Sequence, residues 1–246
     1  MSIILKPQFF KAALIVVMIA GMPISHAISP AQADKVLRVA FPAPDDGFDM
    51  VKTSNFYSGN IADVIFERLL QYDYFANPVK LVPATAQSLP VIKKNGQVYT
   101  FKIKPGIYFT DDPAFKGKRR ELVAEDYVYA VKRILDPKNH APSFSFIDNK
   151  LLGANALVEQ ANKTGKFDYD APIEGVKALD KYTIQFTLTQ PDYNFPYILA
   201  YSTFGATARE VVEYYKDRIG MHPVGTGPYM LCKYVPRSKI ELVANP

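Results

Sequence analysis

Cysteine is almost missing from this chain. Among 246 residues there is one, Cys232. No intramolecular disulfide can form, so a disulfide-stapled scaffold is excluded. Histidine is nearly as scarce, with three, and their scatter gives none of the paired spacings of a zinc site. Long hydrophobic runs are absent too. The single uninterrupted apolar run, Ala12 to Met22, is shorter than the roughly 20 residues that cross a bilayer core, which excludes a multi-pass membrane protein. Catalytic signatures are also wanting: there is no Gly-x-Ser-x-Gly elbow and no Walker sequence. His140 and His222 have no companion that would complete a triad or a metal pair, and read as loop residues. The pairs Asp45-Asp46 and Asp111-Asp112 sit beside proline or glycine and read as turn residues rather than paired catalytic acids. No enzyme, cofactor or metal site is expected.

What is present is ordinary globular chemistry: 48% hydrophobic, 13% aromatic and 22% charged residues. The net charge of +5 comes from 29 Lys and Arg against 24 Asp and Glu. The densest basic run, Lys116-Gly117-Lys118-Arg119-Arg120, leads at once into Glu121, Glu125 and Asp126. That mixture reads as a solvated loop, and no nucleic-acid partner is expected.

The first thirty residues have the layout of a secretory signal peptide. Lys6 and Lys11 flank the start of the apolar run, Pro23 breaks it, and small-x-small sites follow at Ser25-His26-Ala27 and Ala31-Gln32-Ala33. Cleavage after Ala27 is the preferred reading (residues 1–27 as signal), with cleavage after Ala33 as the alternative. The cysteine lies far from either site, so no lipoprotein is expected, and the mature chain should be periplasmic. Loss of residues 1–33 removes Lys6 and Lys11 and no acid, which lowers the net charge from +5 to +3.

Helices and strands then mix without a regular βαβ alternation, which predicts a mixed α/β (α+β) fold. Val36–Phe41 is rich in β-branched residues and reads as a buried strand. A helix is expected over about 58–70, with Ile61, Val64, Ile65 and Leu69 on one face and Asn55 or Ser58 as cap. Tyr99, Phe101 and Ile103 alternate with polar residues over 98–104, a half-buried strand, and Pro105-Gly106 turns into a second strand at 107–109. The next helix, 124–135, carries Tyr127, Val128, Val131 and Leu135 on one face, acids in its first turn and bases in its last, and Asp136-Pro137 stops it. Further expectations are a helix over 148–163 closed by Gly165 and a hairpin of 176–179 with 182–188. Short helices over 194–200 and 207–215 precede a closing hairpin of 229–235 with 239–243. Pro223-Val224-Gly225-Thr226-Gly227-Pro228 forms a tight turn. A phosphate loop would want a helix and a lysine after it, and here a strand follows.

Four segments, in order, carry a family resemblance. They are Ile65-Phe66-Glu67-Arg68-Leu69-Leu70-Gln71-Tyr72-Asp73, the strand–turn–strand from Tyr99 to Phe109, the helix start Val123-Ala124-Glu125-Asp126-Tyr127-Val128-Tyr129, and Gly225-Thr226-Gly227-Pro228-Tyr229 running on to Asn245-Pro246. Together they resemble the extracellular solute-binding proteins of family 5, the dipeptide-, oligopeptide- and nickel-binding group of ABC importers, over about 36–246. Two departures stand out. Thr110-Asp111-Asp112-Pro113 replaces the family's His-Asp-Gly-x-Pro, and Val123 replaces the usual capping threonine.

The resemblance implies the first lobe of a type II periplasmic-binding-protein fold with the family's extra domain, the second lobe missing. Residues 34–66 and 207–246 would belong to lobe I and 67–206 to the extra domain. It implies capture of a small solute, a peptide in the first instance, and delivery to an inner-membrane ABC permease by a monomeric receptor. Family members place ligand contacts just before the first helix, which points to Asn55, Phe56 and Tyr57, while Gly225, Thr226 and Gly227 would form a structural turn. Two other readings remain open: a truncated, non-transporting fragment or interaction module, and an envelope hydrolase, which would need a nucleophile–base pair.

Overall fold

A computed structural model describes residues 35–246. The signal-peptide reading therefore lies outside the described residues. The chain divides into a unit ending at Ala40 and a compact unit from Phe41 to Pro246. In the first, residues 35–40 form no strand, and Val36, Leu37 and Val39 are exposed. The expected strand at 36–41 is thus not formed. Alternating apolar residues specify a strand only when a neighbour completes the ladder and covers a face, and no described residue pairs with it.

The second unit opens with α1 (Phe56–Ile65), then an antiparallel pair of short strands, β1 (Leu70–Tyr72) and β2 (Leu81–Pro83). Next come β3 (Val91–Lys93), β4 (Val98–Lys102), α2 (Ala124–Leu135), α3 (Ala154–Thr164), β5 (Val176–Asp180) and β6 (Thr183–Thr187). The chain continues with α4 (Phe195–Ile198), α5 (Arg209–Tyr215), and the closing hairpin β7 (Tyr229–Val235) and β8 (Lys239–Ala244). Strands β3-β4-β6-β5 make one antiparallel sheet in that order. Tyr99 lies opposite Phe186 and Phe101 opposite Ile184, so the expected apolar face of β4 meets that of β6. Tyr99, Phe101 and Ile103 are fully buried, while Lys102 and Lys104 are exposed.

Helix α2 runs between the bounds its sequence predicts, yet eleven of its twelve residues are buried. One face packs towards β5 and β6. The other is covered by polar partners. Asp126 binds Arg120, Lys132 Nζ donates to the Tyr169 carbonyl at 2.9 Å, and Arg133 binds Asp49. The sequence shows an amphipathic helix; the fold covers its polar side as well, and each buried charge has a partner, as burial demands.

Several boundaries differ from expectation for local reasons. Helix α1 stops at Ile65 rather than near 70, because the Ile65 carbonyl accepts Gly227 N–H at 2.8 Å and the chain turns extended at Phe66. Ile107–Phe109 forms a single bridge to Glu121 instead of a strand. Helix α3 begins at Ala154, after Gly153 in the left-handed region (φ 77°), and ends at Gly165 (φ 69°) as predicted. The strands β1, β2 and β3, three residues each, had no periodic signal long enough to read.

Most buried apolar residues form one cluster centred on the four-stranded sheet and α2. A second, smaller cluster joins Met50, Ala62, Ile65 and Phe66, with Leu231 and Leu242 of the closing hairpin packed against it. No described helix is long and apolar enough to cross a membrane.

Candidate functional site

The corner that leads into α1 is built by carboxylates and caps. Asp46 Oδ2 accepts the N–H of Ser54 (3.2 Å) and of Asn55 (3.1 Å), and the Ser58 hydroxyl accepts Asp46 N–H at 3.0 Å. Asn55 is the N-cap: its Oδ1 accepts Tyr57 N–H (2.8 Å) and Ser58 N–H (3.4 Å), two of the orphan donors of the first turn. Its Nδ2 donates to the Pro44 carbonyl at 2.8 Å. Both ends of this amide are therefore engaged in holding the corner.

Phe56 and Tyr57 stand at the tip. Phe56 is 74% exposed and meets Tyr57 edge to face, and Tyr57 stacks on Phe41 with ring centroids 4.9 Å apart. An exposed aromatic ring on a capped helix start offers a rigid apolar contact surface beside polar backbone. Such a surface suits binding and contains no nucleophile paired with a base.

Two anchors fix the corner to the rest of the unit. The buried Arg133 guanidinium makes a bidentate pair with Asp49, at 2.9 and 3.0 Å, each side chain 7% exposed. Tyr234 of β7 donates to Asp45 and packs against Phe48, and burial with the Asp45 carboxylate raises its pKa. Neither anchor has a sequence signal, since the partners lie far apart in the chain.

The glycine turn is wedged against the end of α1. A Cβ on Gly225 would run into the Ile65 carbonyl oxygen, and one on Gly227 into that of Val64. Gly225 in turn accepts Thr110 N–H through its carbonyl at 2.9 Å. Asn245 closes the turn from the far side, with Nδ2 donating to the Gly227 carbonyl and its N–H to that of Pro228, both at 2.8 Å. The glycines and Asn245, distant in sequence, thus meet at one place. Beside them the Glu67 carboxyl is raised by burial, against the lowering pull of the Thr226 hydroxyl, Lys104 and Arg68. The acidic pairs act as turn residues: Asp112 caps the short helical turn Pro113–Phe115 through Ala114 N–H at 2.8 Å.

Residues 80–246 match the family of bacterial extracellular solute-binding proteins, family 5 Middle, and the chain belongs to that family. It is 27% identical to the di/tripeptide-binding protein 4 of Pseudomonas aeruginosa, over 89% of this chain and 39% of that protein. It is also 27% identical to the oligopeptide-binding protein AmiA of Streptococcus pneumoniae, over 98% of this chain and 36% of that one. Among solved structures, the Haemophilus influenzae OppA complex with the peptide RPPGFSPFR superposes with a TM-score of 0.67 at 25% identity, covering 83% of this chain and 37% of that one. The substrate-binding domain of the oligopeptide ABC transporter from Bacillus anthracis gives the same TM-score at 24% identity, over 82% and 36%. The chain therefore spans well under half the length of these relatives, and its mixed helix–strand fold is that of their matching part.

Proposed function

We propose that this chain forms part of a solute receptor that captures peptides in the periplasm and passes them to an ABC permease in the inner membrane. The carrying observation is family membership, joined to relatives named for di- and tripeptide and oligopeptide binding. The exported character rests on the signal-like pattern of residues 1–27. The chain works by binding, with affinity supplied by closure of lobes around the solute and by backbone hydrogen bonds, and without covalent chemistry.

In this reading the corner of Asn55, Phe56 and Tyr57 faces the solute. Phe56 supplies apolar contact, and Asn55 acts mainly by holding the helix start in place. The separate apolar cluster around α1, β7 and β8 supports grouping residues 34–66 with 207–246 in one lobe. Residues 67–206, the proposed additional domain, supply most of the larger cluster, which Val51, Ala208, Val211, Tyr215 and Val224 join from the lobe side. The test is a thermal-shift screen of the full gene product against di-, tri- and longer peptides. Ligands that bind only the native state must raise the melting temperature. A flat response to every peptide would remove the transport reading. Replacing Phe56 by Ser should weaken the binding found; unchanged affinity would move the contact site elsewhere.

A further inference from the structure

A different place gathers most of the methionine, histidine and cysteine side chains among the described residues. A cavity of about 340 Å³ opens between the loop at Thr110–Asp112, the segment Met221–Val224 and the strand β7. Its lining includes Met221, His222, Met230 and Cys232. The described residues contain three methionines, two histidines and one cysteine, and four of these six line this one recess. Cys232 is also the extra residue of a β-bulge: Leu231 pairs with Leu242 and Lys233 with Glu241, so it has no partner across the ladder. Bulges re-aim a side chain out of the regular pleat, and here the re-aimed residue is an exposed thiol on the cavity wall. The His222 ring is held face to face on Tyr215, with centroids 4.0 Å apart, which leaves the ring edge free. Tyr215 is itself fixed by its hydroxyl to Asp112 at 2.9 Å.

We infer that this recess binds a soft monovalent cation, Cu(I) in the first instance, through the thioethers of Met221 and Met230, the Cys232 sulfur and the His222 imidazole. Thiolate and thioether ligands select Cu(I) over harder ions. A zinc-type site is a poorer fit, because no group of three or more His, Cys, Asp and Glu among the described residues is arranged to hold a metal; the two methionines are what complete the set. Long, unbranched methionine side chains can adapt to the low coordination number of this ion.

The probe is Cu(I) itself, supplied to the reduced full-length chain without oxygen as its complex with a coloured chelator. The expected result is withdrawal of one equivalent of Cu(I), with X-ray absorption showing a sulfur-dominated shell. Cys232→Ser should weaken retention at least tenfold, and Met221→Leu with Met230→Leu should weaken it as much. Added Zn(II) should not compete. All three side chains are at least partly exposed, and unchanged circular dichroism would show that the variants fold. Two outcomes would overturn the inference: no withdrawal of Cu(I), or retention unaffected by the double methionine change. The second would mean a simple thiol adduct or a site among residues 1–34.

Discussion

Asn55 shows how one residue can hold a helix start and the loop before it together. Its amide caps α1 and ties Pro44 to the helix start. Asn55→Ala should cost about 1 kcal/mol of stability, as for N-caps generally, measurable by urea denaturation. A loss below a few tenths would mean that Asp46 alone holds the corner. Gly225→Ala and Gly227→Ala should be far more damaging, because the new methyl meets a backbone carbonyl that cannot rotate away. Losses above about 4 kcal/mol, or failure to accumulate folded protein, are expected. Asp49→Ala leaves the buried Arg133 charge without its bidentate partner, a change that costs about 3–5 kcal/mol in comparable pairs. A cost under 1 kcal/mol by the same titration would show that water reaches the guanidinium. The cap and the glycines were legible in sequence, because Asn before a helix and Gly between prolines have local meanings. Asp49 was not, since nothing local marks a partner so distant in the chain.

At the scale of elements, α2 is the informative case. Its bounds followed from charge placement and from Asp136-Pro137, but its burial on both sides did not. Arg120 grips Asp126 (2.6 Å) and Glu210 (2.9 Å), linking the basic loop to the starts of α2 and α5. Burial disfavours the Arg120 charge, yet the two carboxylates outweigh it and raise its pKa. Asp126 also accepts Val123 N–H at 2.8 Å, the one half of a capping box that a valine cap leaves possible, and its own N–H is taken by the Val123 carbonyl at 3.1 Å. Burial nevertheless pushes the Asp126 carboxyl up to about 6, against the lowering effect of Arg120. A raised carboxyl holds its proton longer in the folded state than in the unfolded one. Its contribution is therefore fully present below about pH 4 and is lost as pH rises through about 6. Asp126→Asn cannot titrate, so the melting-temperature gap between wild type and variant should narrow in going from pH 4.5 to pH 7.5. A gap that stays constant or widens would show that Arg120 keeps Asp126 ionised throughout.

For the molecule as a whole, the two apolar clusters differ greatly in size. The larger unites the four-stranded sheet, α2 and much of the rest; the smaller rests on four buried residues, with half-buried ones such as Leu231 and Leu242 packed against them. Local stability follows buried apolar contact. Amide exchange should therefore be slowest in β4 and β6 and at least tenfold faster in β7 and β8. Equal protection in the two sheets would indicate one cooperative unit instead. The family was legible at this scale because four short motifs occur in order, each tied to a turn, a cap or an alternation. The strand expected at 36–41 failed for the converse reason. Its pattern is right, but a strand exists only with a neighbour, and the described residues supply none.

By itself, the sequence determined whatever depends on near neighbours. Apolar alternation set β4 and β6, the acidic start and Asp-Pro end set α2, Gly165 ended α3, and the cap of α1 was narrowed to Asn55 or Ser58. These rest on backbone geometry and on hydrogen bonds within a few residues. Only the tertiary structure decided where α1 ends, since Gly227 takes the carbonyl of Ile65 across the fold. It alone paired Asp49 with Arg133 and Asp45 with Tyr234 and closed the glycine turn with Asn245. It also brought Met221, His222, Met230 and Cys232 to one cavity. Such contacts depend on how distant segments pack, and no local pattern encodes them.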